Sequence, residues 1–288
     1  VATLSAIPGV DAVGLNCSTG PDAMHSVLRR LTAVNPLPTV ALPNAGLPEN
    51  DSGRLVYRLS PEDFATQVRS FVEELGVAFV GGCCGTSPAH IRALARSVEG
   101  LRPGRPACGN DSTGMLSSLF SAVSMHQEPG PLIIGESTNA NGSKAFRSRL
   151  LENDFEGMLQ VGREQVEEGA HVIDVCLAAA GRDEVADVRS FVPLAGRFLD
   201  VPMMIDSTDP LAIEEALLLF PGRAVVNSVN FEDGGSRLDR IAAAARRHGA
   251  AIVALTIDED GMAMTAARKA AVAGRLIDRL VGVHGFAP

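Results

Sequence analysis

Short apolar runs separated by helix-length stretches recur along almost the whole chain, and this rhythm limits the possible fold more than any other feature. "VDAVGLNC" (10–17), "PTVALPNAG" (38–46) and "VAFVGGCC" (77–84) are apolar over strand lengths. Between them, "PDAMHSVLRRL" and "SPEDFATQVRSFVEEL" repeat apolar residues with a helical period. Ser60, followed by Pro61 and Asp63, marks a helix start. The rhythm returns in "PLIIGEST" (131–138), "AHVIDVC" (170–176), "VPMMIDST" (201–208), "AVVNSV" (224–229) and "AAIVALTID" (250–258). Helical stretches such as "FEGMLQVGREQVEEG" and "LDRIAAAARRHG" separate these runs and close on glycine. Continuously apolar strands alternating with helices predict parallel sheet covered by helices.

The rhythm breaks once, in "GLRPGRPACGNDSTGMLSSLFSAVSMHQEPG" (100–130), which is rich in Gly, Pro and Ser and is read as a linker. The expected organisation is therefore a unit over 1–100, a linker over 101–130 and a second unit over 131–288. Three strands in one half and five in the other each fall short of a closed (β/α)8 barrel. The expectation is an α/β chain of two incomplete (β/α)8 TIM-type barrels, the end of one and the beginning of another, as if cut from a longer polypeptide. A single doubly wound domain is the alternative. No G-x-G-x-x-G follows a strand and no G-x-x-x-x-G-K-[ST] is present, so both nucleotide fingerprints that would support it are missing.

Composition removes several function classes. With 288 residues and 46% hydrophobic content the chain can bury a sizeable core. Its net charge of −9 argues against general affinity for nucleic acid or anionic membrane. No Trp and a single Tyr argue against stacking on bases. There is no apolar run of about 18 residues, so no membrane span is expected. The opening "VATLSAIPGV" lacks an initiator Met and the charged head of a secretion signal. Five cysteines, odd in number and thinly spread, suit a reducing, cytoplasmic setting rather than a disulfide scaffold.

Cys17 closes one apolar run and Cys83–Cys84 close another. In a parallel β/α barrel the C-terminal strand ends share a face, so the three thiols would meet there. Three thiolates suit zinc with a fourth position left for substrate. Against this, free cysteines are often plain core residues, and paired C-x-x-C spacing is absent. For Cys108, in the linker, and Cys176, at a strand end, packing is the expected role. The second half ends nearly every apolar run with a polar residue: Asn139, Asp174, Asp206, Asn227 and Asp258. On one barrel mouth they would form a ring suited to a flat heterocycle with N–H and amino groups along an edge. Each taken singly is also an ordinary strand-end or helix-capping residue.

"GLNCSTGPDAM", "PNAGLP" and "GGCCGTSPAHIRAL" closely resemble the homocysteine-binding zinc methyltransferase domain. That resemblance implies zinc held by Cys17, Cys83 and Cys84, with Asn44 on the homocysteine side, able to take the open zinc position when substrate is absent. "IGESTNANGSKAF", "GAHVIDV", "MMIDSTDP" and "VVNSVNFEDG" resemble the pterin-binding barrel of dihydropteroate synthases and folate-dependent cobalamin methyltransferases. It implies that Asn139, Asp174, Asp206, Asn227 and Asp258 hold the pterin ring of a reduced folate. The order of the two halves resembles the cobalamin-dependent methionine synthase family. This implies methyl transfer from 5-methyltetrahydrofolate to homocysteine through cobalamin, with zinc as a second cofactor and cobalamin bound by a domain outside this chain. Two departures stand out: Ser137 where many relatives have Arg, and Ala178–Ala180 where relatives often carry an acidic residue. A zinc thiol methyltransferase with another donor, or a remnant that binds nothing, are the rival readings.

Overall fold

The computed structural model describes residues 1–104 and 114–287, which fall into two compact units, one over residues 9–104 and the other over 114–287. A short helix, α1 (Ala2–Ala6), precedes the first strand. Cys108 lies outside the described residues.

In the first unit β1 (Val13–Asn16), β2 (Thr39–Leu42) and, after an intervening hairpin, β5 (Phe79–Val80) form a parallel sheet in that order. The hairpin is β3 (Glu49–Asp51) and β4 (Arg54–Val56). Helices α2 (Pro21–Val34), α3 (Pro61–Leu75) and α4 (Pro88–Ser97) follow β1, β4 and β5. The predicted start of α3 is present: the Ser60 Oγ accepts from the Asp63 N–H at 3.1 Å, and Pro61 needs no partner at that position. Gly76, at φ 67°, ends the helix in the left-handed conformation that glycine adopts without a Cβ clash. Leu28, Ala41, Phe64, Val68, Phe71 and Val77 make the core on the helix side of this sheet. The expectation of strands covered on both faces is not met here, because Phe79 is 56% exposed and Gly14 and Asn16 are exposed as well.

In the second unit β8 (Ile134–Gly135), β9 (Val172–Val175), β10 (Met203–Asp206), β11 (Val225–Val229) and β12 (Ala251–Ala254) pair in sequence order, all parallel. Consecutive order without reversal is how a barrel wall is wound, and it rules out the doubly wound alternative, whose order reverses at a switch point. Helices α5 (Lys144–Glu152), α6 (Phe155–Glu167), α7 (Glu184–Phe198), α8 (Pro210–Leu219), α9 (Ser236–Arg247) and α10 (Ala266–Ile277) connect or follow the strands. A small hairpin, β13 (Ile257–Asp258) and β14 (Gly261–Met262), follows β12. Ile173, Val175, Met203, Ile205 and Val226 face the helices and join Phe146, Phe191 and Ile213 in the main core. The alternate residues Val172, Met204 and Val225 face the other way and form a separate apolar layer.

That layer is completed by a segment read from sequence as linker. Met115–Ser117 and Ala122–Ser124 are the antiparallel strands β6 and β7, and Leu116 is fully buried against Val172, Met204 and Val225. Arg223, itself buried, donates to the Met115 and Gly249 carbonyls at 2.7 and 2.8 Å, and its N–H donates to the Ser117 Oγ at 3.0 Å. The hairpin thus floors the N-terminal side of the sheet. The hairpin turn is closed by serine, the Ser118 Oγ accepting from the Phe120 and Ser121 N–H groups at 3.1 and 3.0 Å. No helix among the described residues is long and apolar enough to cross a membrane.

Leu116→Ala should therefore cost the second unit about 2–5 kcal/mol, as for other fully buried leucines. Leu119→Ala, at the exposed tip, should stay within about 0.5 kcal/mol of the parent. Denaturant unfolding of the two variants checks this, and equal costs would show the hairpin to be detached.

Candidate functional sites at two strand-end mouths

Parallel strands deliver their C-terminal ends to one side of each sheet. In the first unit this brings the three expected sulfurs together. Cys17, Cys83 and Cys84 place all three Sγ atoms within 4.8 Å of one another. The Cys17–Cys84 separation is 3.5 Å and the Cys83–Cys84 separation is 4.0 Å. Backbone hydrogen bonds between strand ends fix them: the Cys17 N–H donates to the Leu42 carbonyl at 2.9 Å, and the Cys83 N–H to the Pro43 carbonyl at 2.8 Å. Cys17 and Ser18 both sit at φ 62°, which turns the chain sharply at the end of β1.

Asn44 is buried, and its Oδ1 accepts from the Cys84 N–H at 3.1 Å. Its own N–H donates to the Thr19 carbonyl at 3.0 Å, so this asparagine ties the β1 and β5 loops together. The Ser18 N–H, then the neighbouring Cys84 and Cys83 thiols, lower the Cys17 thiol below its ordinary range. Cys84, hydrogen-bonded to Cys17 and Cys83, is pushed the other way. Tyr57, missed in the sequence reading, leans on this loop, and contact with Cys84 reinforces burial in raising its phenol.

In the second unit four of the five expected polar residues converge. The Asn139 Nδ2 donates to Asp174 Oδ2 at 2.9 Å and to Asp206 Oδ2 at 2.7 Å. The Asn227 Nδ2 reaches Asp174 Oδ1 at 3.4 Å. Period-two alternation explains the placement: Val172, Met204 and Val225 fill the apolar floor, and two residues on, Asp174, Asp206 and Asn227 stand above it. Asp258 is not part of this network. Its Oδ1 accepts from Arg268 at 2.5 Å, and Arg275 lies 3.7 Å away, holding the carboxyl below its ordinary range.

Several further residues shape the mouth. The Thr138 Oγ1 donates to the Asp174 carbonyl at 2.6 Å, and Gln165 accepts from the Ser137 N–H at 2.6 Å. Gln165 gave a usable signal, being polar on the buried stripe of α6 beside Met158 and Gly162. Ser137, the departure noted above, contributes this backbone contact. Cys176 does more than pack: its sulfur accepts from Asn141 Nδ2 at 3.3 Å. Burial pushes the Cys176 thiol up to about 11, so it stays protonated. Burial likewise raises Asp174 and Asp206, with the two carboxylates repelling each other at Asp174. Glu184, half-buried near Ser207, is raised by burial too.

Residues 1–98 match the family described as homocysteine S-methyltransferase, and residues 135–288 match the family of pterin binding enzymes. A methionine synthase of Mycobacterium tuberculosis is 42% identical over 290 residues, covering 99% of this chain and 24% of that protein. A methionine synthase of Mycobacterium leprae is 41% identical over 295 residues, again covering 99% of this chain and 24% of that protein. The chain thus spans about a quarter of the length of these curated relatives. Among solved structures, the dihydropteroate synthase of Yersinia pestis is 16% identical, with 61% of this chain and 60% of that one covered and a TM-score of 0.42.

The raised carboxyls give a pH-dependent prediction. A buried carboxyl with a folded-state pKa above its unfolded one costs stability when ionised, and that cost disappears as pH falls below the unfolded value. Asp206→Asn should therefore raise the unfolding midpoint at pH 7, and the advantage should shrink towards pH 4, about the ordinary carboxyl value. Thermal unfolding across that range checks it. A pH-independent difference would remove burial of charge as the cause.

Proposed function

The chain belongs to the pterin-binding enzyme family through residues 135–288, and on that premise we propose that it carries two substrate sites for methyl transfer from 5-methyltetrahydrofolate to homocysteine, giving methionine. The observation that carries the reading is the meeting of three thiols at one strand-end mouth, in a chain whose other mouth is lined by buried carboxylates and amides. The donor set fits zinc. Tetrahedral coordination at the usual zinc–sulfur distance separates ligand sulfurs by about 3.8 Å, and the two measured separations of 3.5 and 4.0 Å bracket that.

Zinc held by Cys17, Cys83 and Cys84 would supply a Lewis acid at which a substrate thiol loses its proton near neutral pH. The chain's own part is to preorganise the ligands. The Ser18 N–H favours the Cys17 thiolate, Asn44 holds the Cys84 loop, and the exposed side of Cys84 leaves an approach for homocysteine. At the second mouth, Asp174 and Asp206 have lone pairs left to accept from the N–H and amino edge of a pterin, while Asn139 and Asn227 fix the carboxylates in place. Asp258, committed to arginines, would act only through the shape of its loop.

Each site is built from residues of its own unit, and the proposed transfer between the two substrates runs through a methyl carrier. Cobalamin, bound by a domain outside this chain, supplies that role in the proposal. Free thiols of this kind suit a reducing, cytoplasmic setting.

Two measurements test the reading. Zinc content should fall from about one per chain to none in Cys83→Ser, since three sulfurs are the minimum set for a site with one open position. Asp174→Ala should weaken 5-methyltetrahydrofolate binding by about 1–3 kcal/mol in calorimetry, the scale of a lost buried polar partner. With free cobalamin supplied, Cys84→Ser should stop only methyl delivery to homocysteine, and Asp206→Ala should slow only methyl removal from the folate. Parent-like zinc content in Cys83→Ser, or a cysteine change that slows both half-reactions in folded protein, would reject it.

A further inference from the structure

Many arginines of the second unit are met by carboxylates, as Arg149 is by Asp154 and Arg182 by Asp187. Arg147 is spent on main chain instead. Its Nε donates to the Ala140 carbonyl at 2.5 Å and its Nη2 to the Asn141 carbonyl at 3.1 Å. Side chains on a helix lean towards its N-terminus, so the fourth residue of α5 is placed to reach the loop that precedes the helix. That loop joins β8 to α5 and carries Asn139, yet nothing in the proposed reaction gives Arg147 a part.

The N–H groups of this loop point at Asn139. Its Oδ1 accepts from the Asn141 and Gly142 N–H groups at 2.8 and 3.0 Å, and its carbonyl accepts from the Ser143 N–H at 2.7 Å. With both N–H groups on Oδ1, the amide presents Nδ2 to Asp174 and Asp206, at 2.9 and 2.7 Å. A carbonyl and the N–H of the next residue belong to one planar peptide unit. Holding the Ala140 carbonyl therefore aims the Asn141 N–H, and holding the Asn141 carbonyl aims the Gly142 N–H. Arg147 grips the two peptide units whose N–H groups orient the Asn139 amide.

We propose that Arg147 is a positioning residue of the second mouth, fixing through these two peptide units the amide that spaces Asp174 and Asp206. The inference rests on reading that mouth as the folate site. Without the guanidinium, water takes its place at both carbonyls and the two peptide units turn more freely. Oδ1 then loses its aligned donors, and Nδ2 its fixed place between the carboxylates. A ligand edge that must meet both carboxylates has to order the loop as it binds, and its affinity falls by that cost. The paired, planar grip carries the effect rather than the positive charge, since an ammonium is a point donor without the fork.

The test uses the full chain with Arg147→Met, which keeps an apolar stem and removes the donors, and Arg147→Lys, which keeps the charge. Arg147 is exposed, so both variants should unfold near the parent's midpoint. In calorimetry Arg147→Met should bind 5-methyltetrahydrofolate about tenfold more weakly, the scale of one hydrogen bond lost from a network. Arg147→Lys should fall between that variant and the parent. In an Asn139→Ala background Arg147→Met should add almost nothing, because its effect runs through that amide. In the ligand-free protein, nuclear magnetic resonance should show the Asn139 side-chain amide signals moved by Arg147→Met, with those of buried Asn35 in the first unit unmoved. Parent-like affinity in either Arg147 variant, losses that add in full, or unmoved Asn139 signals would overturn the proposal and leave the folate site standing. A parent that does not bind 5-methyltetrahydrofolate would overturn the folate reading and this proposal together.

Discussion

Parallel hydrogen bonding between strands is the constraint on which the rest depends. A parallel ladder requires a crossover after each strand, and here helices supply nearly all of them, so every strand in a sheet ends on the same side. The register pairs Asn16 with Leu42 in one unit and Asp206 with Asn227 in the other. Residues far apart in sequence become neighbours because each sits at, or just past, the end of its strand. The three sulfurs and the four-membered amide–carboxylate network are both consequences of that geometry.

The two mouths solve different electrostatic problems. The sulfur cluster is held mostly by backbone, through strand-end hydrogen bonds and the Asn44 amide, and it remains open to solvent at Cys84. At the carboxylate mouth Asp174 is buried and Asp206 partly so, and burial works against the charge on both. Asn139 offsets part of that cost by donating to both carboxylates, while its own Oδ1 accepts from the Asn141 and Gly142 N–H groups at 2.8 and 3.0 Å. A polar group with every valence engaged is stiff, and stiffness here is useful because the same carboxylates must meet a ligand edge at fixed spacing. Strain and desolvation of this kind belong to sites rather than to cores.

The loops between strand and helix carry the departures from the simplest reading of the sequence. The apolar run 77–84 yields a strand of only two residues, Phe79 and Val80, because Gly81 and Gly82 turn the chain before the cysteines. Asp258 ends an apolar run as Asp174 and Asp206 do, yet it lies in a hairpin after β12 and meets Arg268 and Arg275 from α10. Periodicity cannot separate these cases. Which strand-end acid faces a mouth and which faces a neighbouring helix depends on a turn of one or two residues.

The sequence by itself determined the strand–helix alternation, the two-part organisation, the start of α3 and the positions of the sulfurs, because each is written in local period, capping chemistry or residue type. The same local signals placed Asn139, Asp174, Asp206 and Asn227 at strand ends. Tertiary structure alone decided that Leu116 lies under the second sheet, that Gln165 braces the Ser137 loop, that Asp258 is neutralised by arginines and that Tyr57 sits on Gly85. Those contacts join residues from different loops and elements, and no periodic pattern specifies them. They follow from three-dimensional packing, where the last few ångströms are set by which side chains compete for the same space.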